Sequence, residues 1–237
     1  MKYIRIQCIM QSENSVQLND FLGSTIRGAI ISEISKNYCT KSSIDCTSCN
    51  FGVTCPNMIL FHMKDYKQDN RVSNPIVINA MQLSSTMIKL DILLFAIGIT
   101  SAQSIVDILK NGIKLGKTRE QFKVDELYTL DSNNGQHKNI VLAETKESDD
   151  RVTRITIDFL SQTHIQKDCM TLDFTSFLKC CMYRYMSINK LTNSEPVIEF
   201  NKLVEESSEI KTVDRVIKIK SLIDFPVEHK EKMRCTA

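Results

Sequence analysis

The chain lacks a hydrophobic run long enough to cross a bilayer. Its longest, Ile92 to Ile99, has eight residues including Gly98, whereas a spanning helix needs about 20. No charged-then-apolar leader of the secretory kind is present either, which implies a cytoplasmic protein with no membrane partner. A dominant charge is also missing. Thirty Lys and Arg face 28 Asp and Glu, a net charge of +2, so any basic binding site has to be local. Glycine is scarce and unevenly placed: all seven fall at or before Gly135, leaving residues 136–237 without the residue that tight turns and phosphate-cradling loops normally need. Low-complexity, collagenous and disordered classes are excluded by 42% hydrophobic and 24% charged residues.

What is present in quantity is cysteine. Nine cysteines in a chain without a leader stay thiols in a reducing compartment. Four of them, Cys39, Cys46, Cys49 and Cys55, fall within 17 residues, with Pro56 directly after and Gly52 between. That spacing lets four thiolates converge on one tetrahedral ion, and closure by four thiolates leaves no position for a catalytic water, so structural zinc is expected, with an iron–sulfur cluster as the alternative. Cys8, Cys169, Cys180, Cys181 and Cys235 are scattered or lie on apolar faces and read as core or incidental.

Period-two alternation over Lys2 to Met10 predicts a first strand with one buried face. Gly23-Ser24-Thr25 offers an N-cap, and Ile26, Ala29, Ile30 and Ile34 then recur at helical spacing up to about Tyr38. Beyond the cysteine loop, short extended pieces are expected near Ile59 to Met63 and, after Pro75, at Ile76 to Asn79. Met87 to Ile99 reads as a long central strand, Ser101 to Asn111 as a helix stopped by Gly112, and Gln121 to Thr129 as a closing strand. The order β-α-β-β-α-β is that of the ferredoxin-like split βαβ arrangement. A polar, turn-rich and then acidic stretch over 131–150 marks a boundary, giving a first domain over 1–135 and a second over 150–237. In the second, Arg151 to Phe159 alternates as a strand and Val213 to Ile219 as another. Leu172 to Ile188 is helical, with Phe174, Phe177, Leu178, Cys181 and Tyr185 on one side. The class is therefore α+β, and the second module reads as incomplete.

Four stretches in order resemble a known family. They are LNDFLGSTIRGA over Leu18 to Ala29, the four-cysteine loop ending Cys55-Pro56 and followed by Ile59-Leu60-Phe61, the segment Ile92 to Gly98 with a helix and then GIKLGKTREQF over Gly112 to Phe122, and ITIDFLSQTHI over Ile155 to Ile165 followed by Phe174 to Arg184. Together they resemble the CRISPR-associated, RAMP-type endoribonucleases that process precursor CRISPR RNA. The resemblance implies tandem ferredoxin-like (RRM-like) RAMP modules with a zinc-binding loop insertion. It implies CRISPR repeat RNA and other CRISPR effector subunits as partners, and metal-independent attack of a 2′-hydroxyl leaving a 5′-hydroxyl and a 2′,3′-cyclic phosphate. The chain departs from the family by Lys114 where relatives place glycine, by Gln162 where they place proline, and by ending at Ala237, about where a glycine-rich loop and closing strand would begin.

Such cleavage needs a base, an acid and cations for the developing phosphorane charge. Relatives carry a histidine on or just after the first helix, and this chain has none between Asp20 and Phe61. The catalytic candidates are His62, His164 and Tyr38, with Lys36 or Lys41 beside the last. Lys110, Lys114, Lys117, Arg119 and Lys123, facing only Glu120, form the densest basic stretch, where RNA phosphates are expected. A solvated helix end accounts as well for Lys110 and Lys114. Arg27 and Arg184 match motif positions, as RNA contacts or as buried structural pairs. The alternatives to a processing enzyme are a catalytically inactive CRISPR-RNA-binding subunit and a zinc-stapled protein unrelated to RNA.

Overall fold

The computed structural model describes residues 1–18, 22–39, 46, 49, 54–62, 64–65, 70–71, 74–145, 156–157, 174–191 and 199–210. In chain order these form β1 (Lys2–Gln11), α1 (Leu22–Tyr38), α2 (Pro56–Phe61), β2 (Lys64–Asp65), β3 (Asn70–Arg71), β4 (Ile76–Gln82), β5 (Met87–Phe95), a 3-10 turn (Ala96–Ser101), α3 (Ala102–Asn111), β6 (Ile113–Leu115), β7 (Glu120–Leu130), β8 (Gln136–His137), β9 (Ala143–Glu144), α4 (Phe174–Lys190) and α5 (Phe200–Ser207). The fold is α+β, built on an antiparallel sheet. No described helix is long and apolar enough to cross a membrane.

The strands run in the order β4-β5-β1-β7-β6. β1 is central: Ile6 pairs with Ile92 of β5 on one side and with Thr129 of β7 on the other. The alternation that predicts β1 is also what packs it. Ile4, Ile6, Cys8 and Met10 point inward, level with Leu94, Ile92, Leu90 and Ile88 of β5, and all eight are buried. Burial pushes the Cys8 thiol up to about 12, so it behaves as a small hydrophobe. Against this face α1 sets Leu22, Ile26, Ile30 and Ile34, one every four residues, and α3 sets Ile105, Val106, Ile108 and Leu109. At about 1.5–3 kcal/mol per fully buried aliphatic side chain, the α1 stripe alone outweighs any propensity term in fixing the helix to the sheet. On the opposite face Arg5 donates to Asp91 through Nε (3.0 Å) and Nη2, Gln7 donates to the same carboxylate (2.9 Å), and Arg5 Nη1 reaches Asn134 Oδ1 (3.3 Å). Burial on its own would raise the Asp91 pKa, but the donors Arg5 and Gln7 and the charges of Arg5 and Lys89 prevail and hold it below its ordinary value.

Four expectations are corrected. Ile59 to Met63 is not extended, because residues 56–61 are the helix α2. Pro56 sits at its first position after an extended Cys55, and the Ile59 N–H closes on the Cys55 carbonyl at 2.9 Å. Every residue from Asn57 to Phe61 is buried, so neither helical nor strand periodicity shows. The strand from Met87 stops at Phe95 rather than Ile99. Ala96 takes φ +48° and the chain turns, with Gly98 so close to the Pro75 carbonyl that a Cβ would lie 2.6 Å from it. α1 begins at Leu22, ahead of the Ser24 cap position, which puts Arg27 in its second turn. Finally, Cys181 is exposed and Met182 is the buried residue of that part of α4.

The chain divides into two compact units, 1–148 with 191–193 and 149–190 with 194–237. In the second, α4 and α5 pack together through Tyr183 and Phe200, ring centroids 5.2 Å apart, and the Ser207 hydroxyl donates to Thr175 Oγ1 at 3.1 Å. The strand expected at Val213 to Ile219 lies outside the described residues, as does that at Arg151 to Phe159 except for Thr156 and Ile157.

Candidate nucleic-acid interface

The glycine-flanked basic stretch becomes a hairpin, and its shape follows from three buried anchors. Ile113 and Leu115 of β6 and Phe122 of β7 are buried, with Ile113 opposite Phe122 and Leu115 opposite Glu120. The residues between them, Lys114, Lys117 and Arg119, are thereby turned to solvent. Glycine is required at both bends. Gly112 ends α3 at φ +85°, and an added Cβ would fall 2.7 Å from the Phe122 carbonyl. Gly116 has φ +76°, and its Cβ would fall 2.7 Å from Val16 Cγ1. The Arg119 N–H closes the turn on the Gly116 carbonyl at 3.1 Å, and Gln121 Nε2 donates to the Asn111 carbonyl at the end of α3 (3.3 Å).

Positive charge predominates at this hairpin. The single acid, Glu120, accepts from Asn14 Nδ2 at 2.9 Å. Lys123 faces Glu13 at 3.8 Å across an open surface, a pair of little energetic weight. Among the described residues Lys114, Lys117 and Arg119 have no ion-pair partner. Three cations on a rigid turn, with their counterions supplied by solvent, suit a polyanion.

A second feature is a cleft of about 440 Å³ between the C-terminal ends of α1 and α3, lined by Asn37, Tyr38, Asp107, Ile108, Lys110 and Asn111. Tyr38, the last residue of α1, is 39% exposed. Lys36, which sequence reasoning set beside it, instead pairs with Glu33 one turn back on α1. Lys110 lines the cleft in its place. Asp107 is held by Gln103 Nε2 at 2.8 Å. A phenol and an ammonium in one cleft offer a proton-moving group and a cation, two of the functions that attack on a phosphate needs. Lys110 was legible only as part of the basic stretch, because nothing in the chain order shows it beside Tyr38.

The other candidates stand apart from this cleft. His62 follows α2, half-buried, with its N–H on the Met58 carbonyl at 3.1 Å, and does not line the cleft. The Arg27 guanidinium carbon lies 5.4 Å from the centre of the buried Phe61 ring, so one of its faces serves to hold α1 to α2. Arg184 belongs to α4 in the second unit, where burial lowers its pKa. His164 and Lys41 lie outside the described residues.

The four loop cysteines are all half-buried, and no disulfide joins them. Cys39 follows α1 with its N–H on the Ser35 carbonyl (3.2 Å), the Cys49 N–H turns back to the Cys46 carbonyl (3.3 Å), and Cys55 is the N-cap of α2. Beside Cys46 is Asn57, 5% exposed, whose Nδ2 lies 3.6 Å from Cys46 Sγ and 3.4 Å from Ser35 Oγ. Among the described residues its Oδ1 has no hydrogen-bond partner. In kind, four thiols fit a thiophilic ion. In position, no three Cys, His, Asp or Glu side chains among the described residues are gathered around one point.

No curated protein matches the chain. Residues 1–154 match the family model AF_1859_N, described as an N-terminal domain. The match takes in β1, both helices that pack on the sheet, the cysteine segment, the cleft and the basic hairpin. Since it spans more than half of the 237 residues, the chain belongs to the AF_1859_N family.

Proposed function

We propose that this protein binds CRISPR repeat RNA as a RAMP-type module and cleaves precursor CRISPR RNA by metal-independent attack of a 2′-hydroxyl. The observation that carries the reading is the β6–β7 hairpin, where Lys114, Lys117 and Arg119 project from a segment fixed by buried anchors and pair with no carboxylate among the described residues. Cations so placed neutralise backbone phosphates and position a strand without reading its sequence. The strand order β4-β5-β1-β7, with α1 and α3 in the crossovers, supports a ferredoxin-like first module. The second unit is its incomplete counterpart in this reading, which rests on the motif resemblance from Ile155 to Arg184.

Tyr38 takes the 2′-hydroxyl proton, and Lys110 offsets charge on the phosphorane and gives a proton to the departing 5′ oxygen, with His62 and His164 as the competing proton carriers. One zinc ion on Cys39, Cys46, Cys49 and Cys55 staples the loop between α1 and α2 and takes no part in the reaction. An iron–sulfur cluster on the same thiols is the alternative, and a brown chromophore in the purified protein would select it.

Labelled repeat RNA decides among the functions. The expected result is retention of RNA and a cut leaving a 2′,3′-cyclic phosphate in the presence of chelator. Tyr38→Phe should abolish the cut with binding intact, while Lys110→Ala slows it. Full cleavage by Tyr38→Phe, with loss in His62→Ala or His164→Ala, transfers the proton-moving role to that histidine. Retention without cleavage makes the chain an RNA-binding CRISPR subunit, and neither outcome with any RNA refutes the proposal.

A further inference from the structure

We infer that the cleft between α1 and α3 takes a guanine base, with the Asp107 carboxylate on its two Watson–Crick N–H donors and the Asn111 carboxamide on its carbonyl oxygen. The inference deepens the RNA reading by naming the base, and it rests on that reading for the source of the ligand. Asp107 and Lys110 lie one turn apart on α3 and both line the cleft, yet among the described residues neither has an ion-pair partner, each other included. Gln103 Nε2 holds Asp107 Oδ1 at 2.8 Å, which orients the half-buried carboxylate and leaves Oδ2 without a partner among the described residues. Asn111 is the exposed last residue of α3. Its backbone carbonyl accepts from Gln121 Nε2 at 3.3 Å, while its carboxamide bonds to no described residue. Asn37 is less available, because its Nδ2 turns back to the Glu33 carbonyl at 2.9 Å.

An unpaired carboxylate beside an amide donor is selective among bases. Guanine alone of the RNA bases sets two N–H donors side by side, where one carboxylate accepts both, with a carbonyl oxygen next to them. Adenine and cytosine each offer an amino group beside a ring acceptor that the carboxylate repels, and uracil offers a lone N–H between two carbonyls. Both helices end at this cleft, and the partial negative charge of their C-termini adds to that of Asp107 in favouring N–H donors. The volume of about 440 Å³ falls within the about 300–1,000 Å³ of small-ligand sites. Tyr38 and Lys110 are left for the sugar and the phosphate. The rival explanation is a solvent-filled gap where two helix ends diverge, which predicts no preference among bases.

The test measures binding of the full chain, by anisotropy, to labelled uridine heptamers carrying guanosine, inosine, adenosine or cytidine at the centre, with guanosine and adenosine 5′-monophosphates as competitors. The guanosine heptamer should bind about 5–150-fold more tightly than those with adenosine or cytidine, as for one well-made bidentate base contact. Inosine, which lacks the exocyclic amino group, should fall between. Asp107→Asn puts a donor in place of one acceptor and should erase the preference, and Asn111→Ala should reduce it. A guanosine preference with no displacement by either mononucleotide assigns the cleft to a base within RNA. Tight binding of guanosine monophosphate by a chain that retains no RNA supports the guanine site, gives it a free nucleotide as ligand, and refutes the RNA reading alone. Equal affinity for every heptamer and equal displacement by both mononucleotides, in a chain that retains RNA, overturn this inference alone. A preference that survives Asp107→Asn overturns the role of Asp107, and a chain that binds neither RNA nor mononucleotide overturns both readings.

Discussion

Replacing both Lys117 and Arg119 with alanine isolates the electrostatic part of the proposed RNA site. Both side chains are exposed and without ion-pair partners among the described residues, so stability should stay within about 0.5 kcal/mol of the parent. The turn itself should persist, since Arg119 at φ +54° gives way to another residue with a Cβ, and Gly116, Ile113, Leu115 and Phe122 are untouched. Each phosphate neutralised on a single strand releases about 0.7 counterion, so two lost contacts should make the slope of log affinity against log salt shallower by about 1.4. Over a fourfold rise in salt, the ratio of parent to variant affinity then shrinks by about sevenfold. Fluorescence anisotropy with labelled repeat RNA and with an unrelated single strand, across a salt series, measures this. The loss should be similar for both RNAs, because phosphates carry no sequence. An unchanged slope with a folded variant refutes the assignment of Lys117 and Arg119 to phosphates. A loss confined to repeat RNA refutes the claim that they only position the strand.

Gly116→Ala should cost about 1–2 kcal/mol from the left-handed backbone, with a further cost from Val16, seen as a lower urea midpoint at unchanged m-value. Ile26→Ala, at the fully buried centre of the α1 stripe, should cost about 2–5 kcal/mol, readable as a lowered thermal midpoint in calorimetry. Asp131 accepts from His137 Nε2 (2.8 Å) and from the Gly135 and Asn133 N–H groups, which hold its carboxyl at about 2. A carboxyl with a depressed pKa stabilises the fold above its unfolded value of about 3.9, and loses that contribution as pH falls through the folded value. Asp131→Asn should therefore be less stable than the parent at pH 7, and the difference should close between pH 4 and 2 in acid-unfolding curves; a constant difference would show that the loop bonds do not favour the charged form.

Where periodicity governs burial, the sequence was readable. The four-residue spacing of Leu22, Ile26, Ile30 and Ile34 and the alternation from Lys2 are each produced by one buried face, and each element lies about where its pattern places it. Pattern fails where burial is total or brief. α2 hides all of its last five residues and so shows no face, and β6 has three residues, too few for alternation to register. The basic hairpin was legible as composition because its cations lie close together in the sequence. The cleft was not, since Tyr38 and Lys110 meet only through the packing of α1 on α3.

The central place of β1 in the sheet sets an order of events on the ribosome. The β4–β5 hairpin closes locally, with Asn79 opposite Asp91, but Ile6 must wait for Ile92 and then for Thr129. At about 5–20 residues per second, β1 spends about 4–17 s without its first neighbour and about 6–25 s without its second. Throughout that interval Ile4, Ile6, Cys8 and Met10 form a nascent strand with two open edges, the segment a chaperone would be expected to hold. Chains stopped before Phe95 should leave β1 wholly unpaired and aggregate, whereas those stopped between Phe95 and Glu120 should leave a single open edge, available to a separately supplied β6–β7 hairpin.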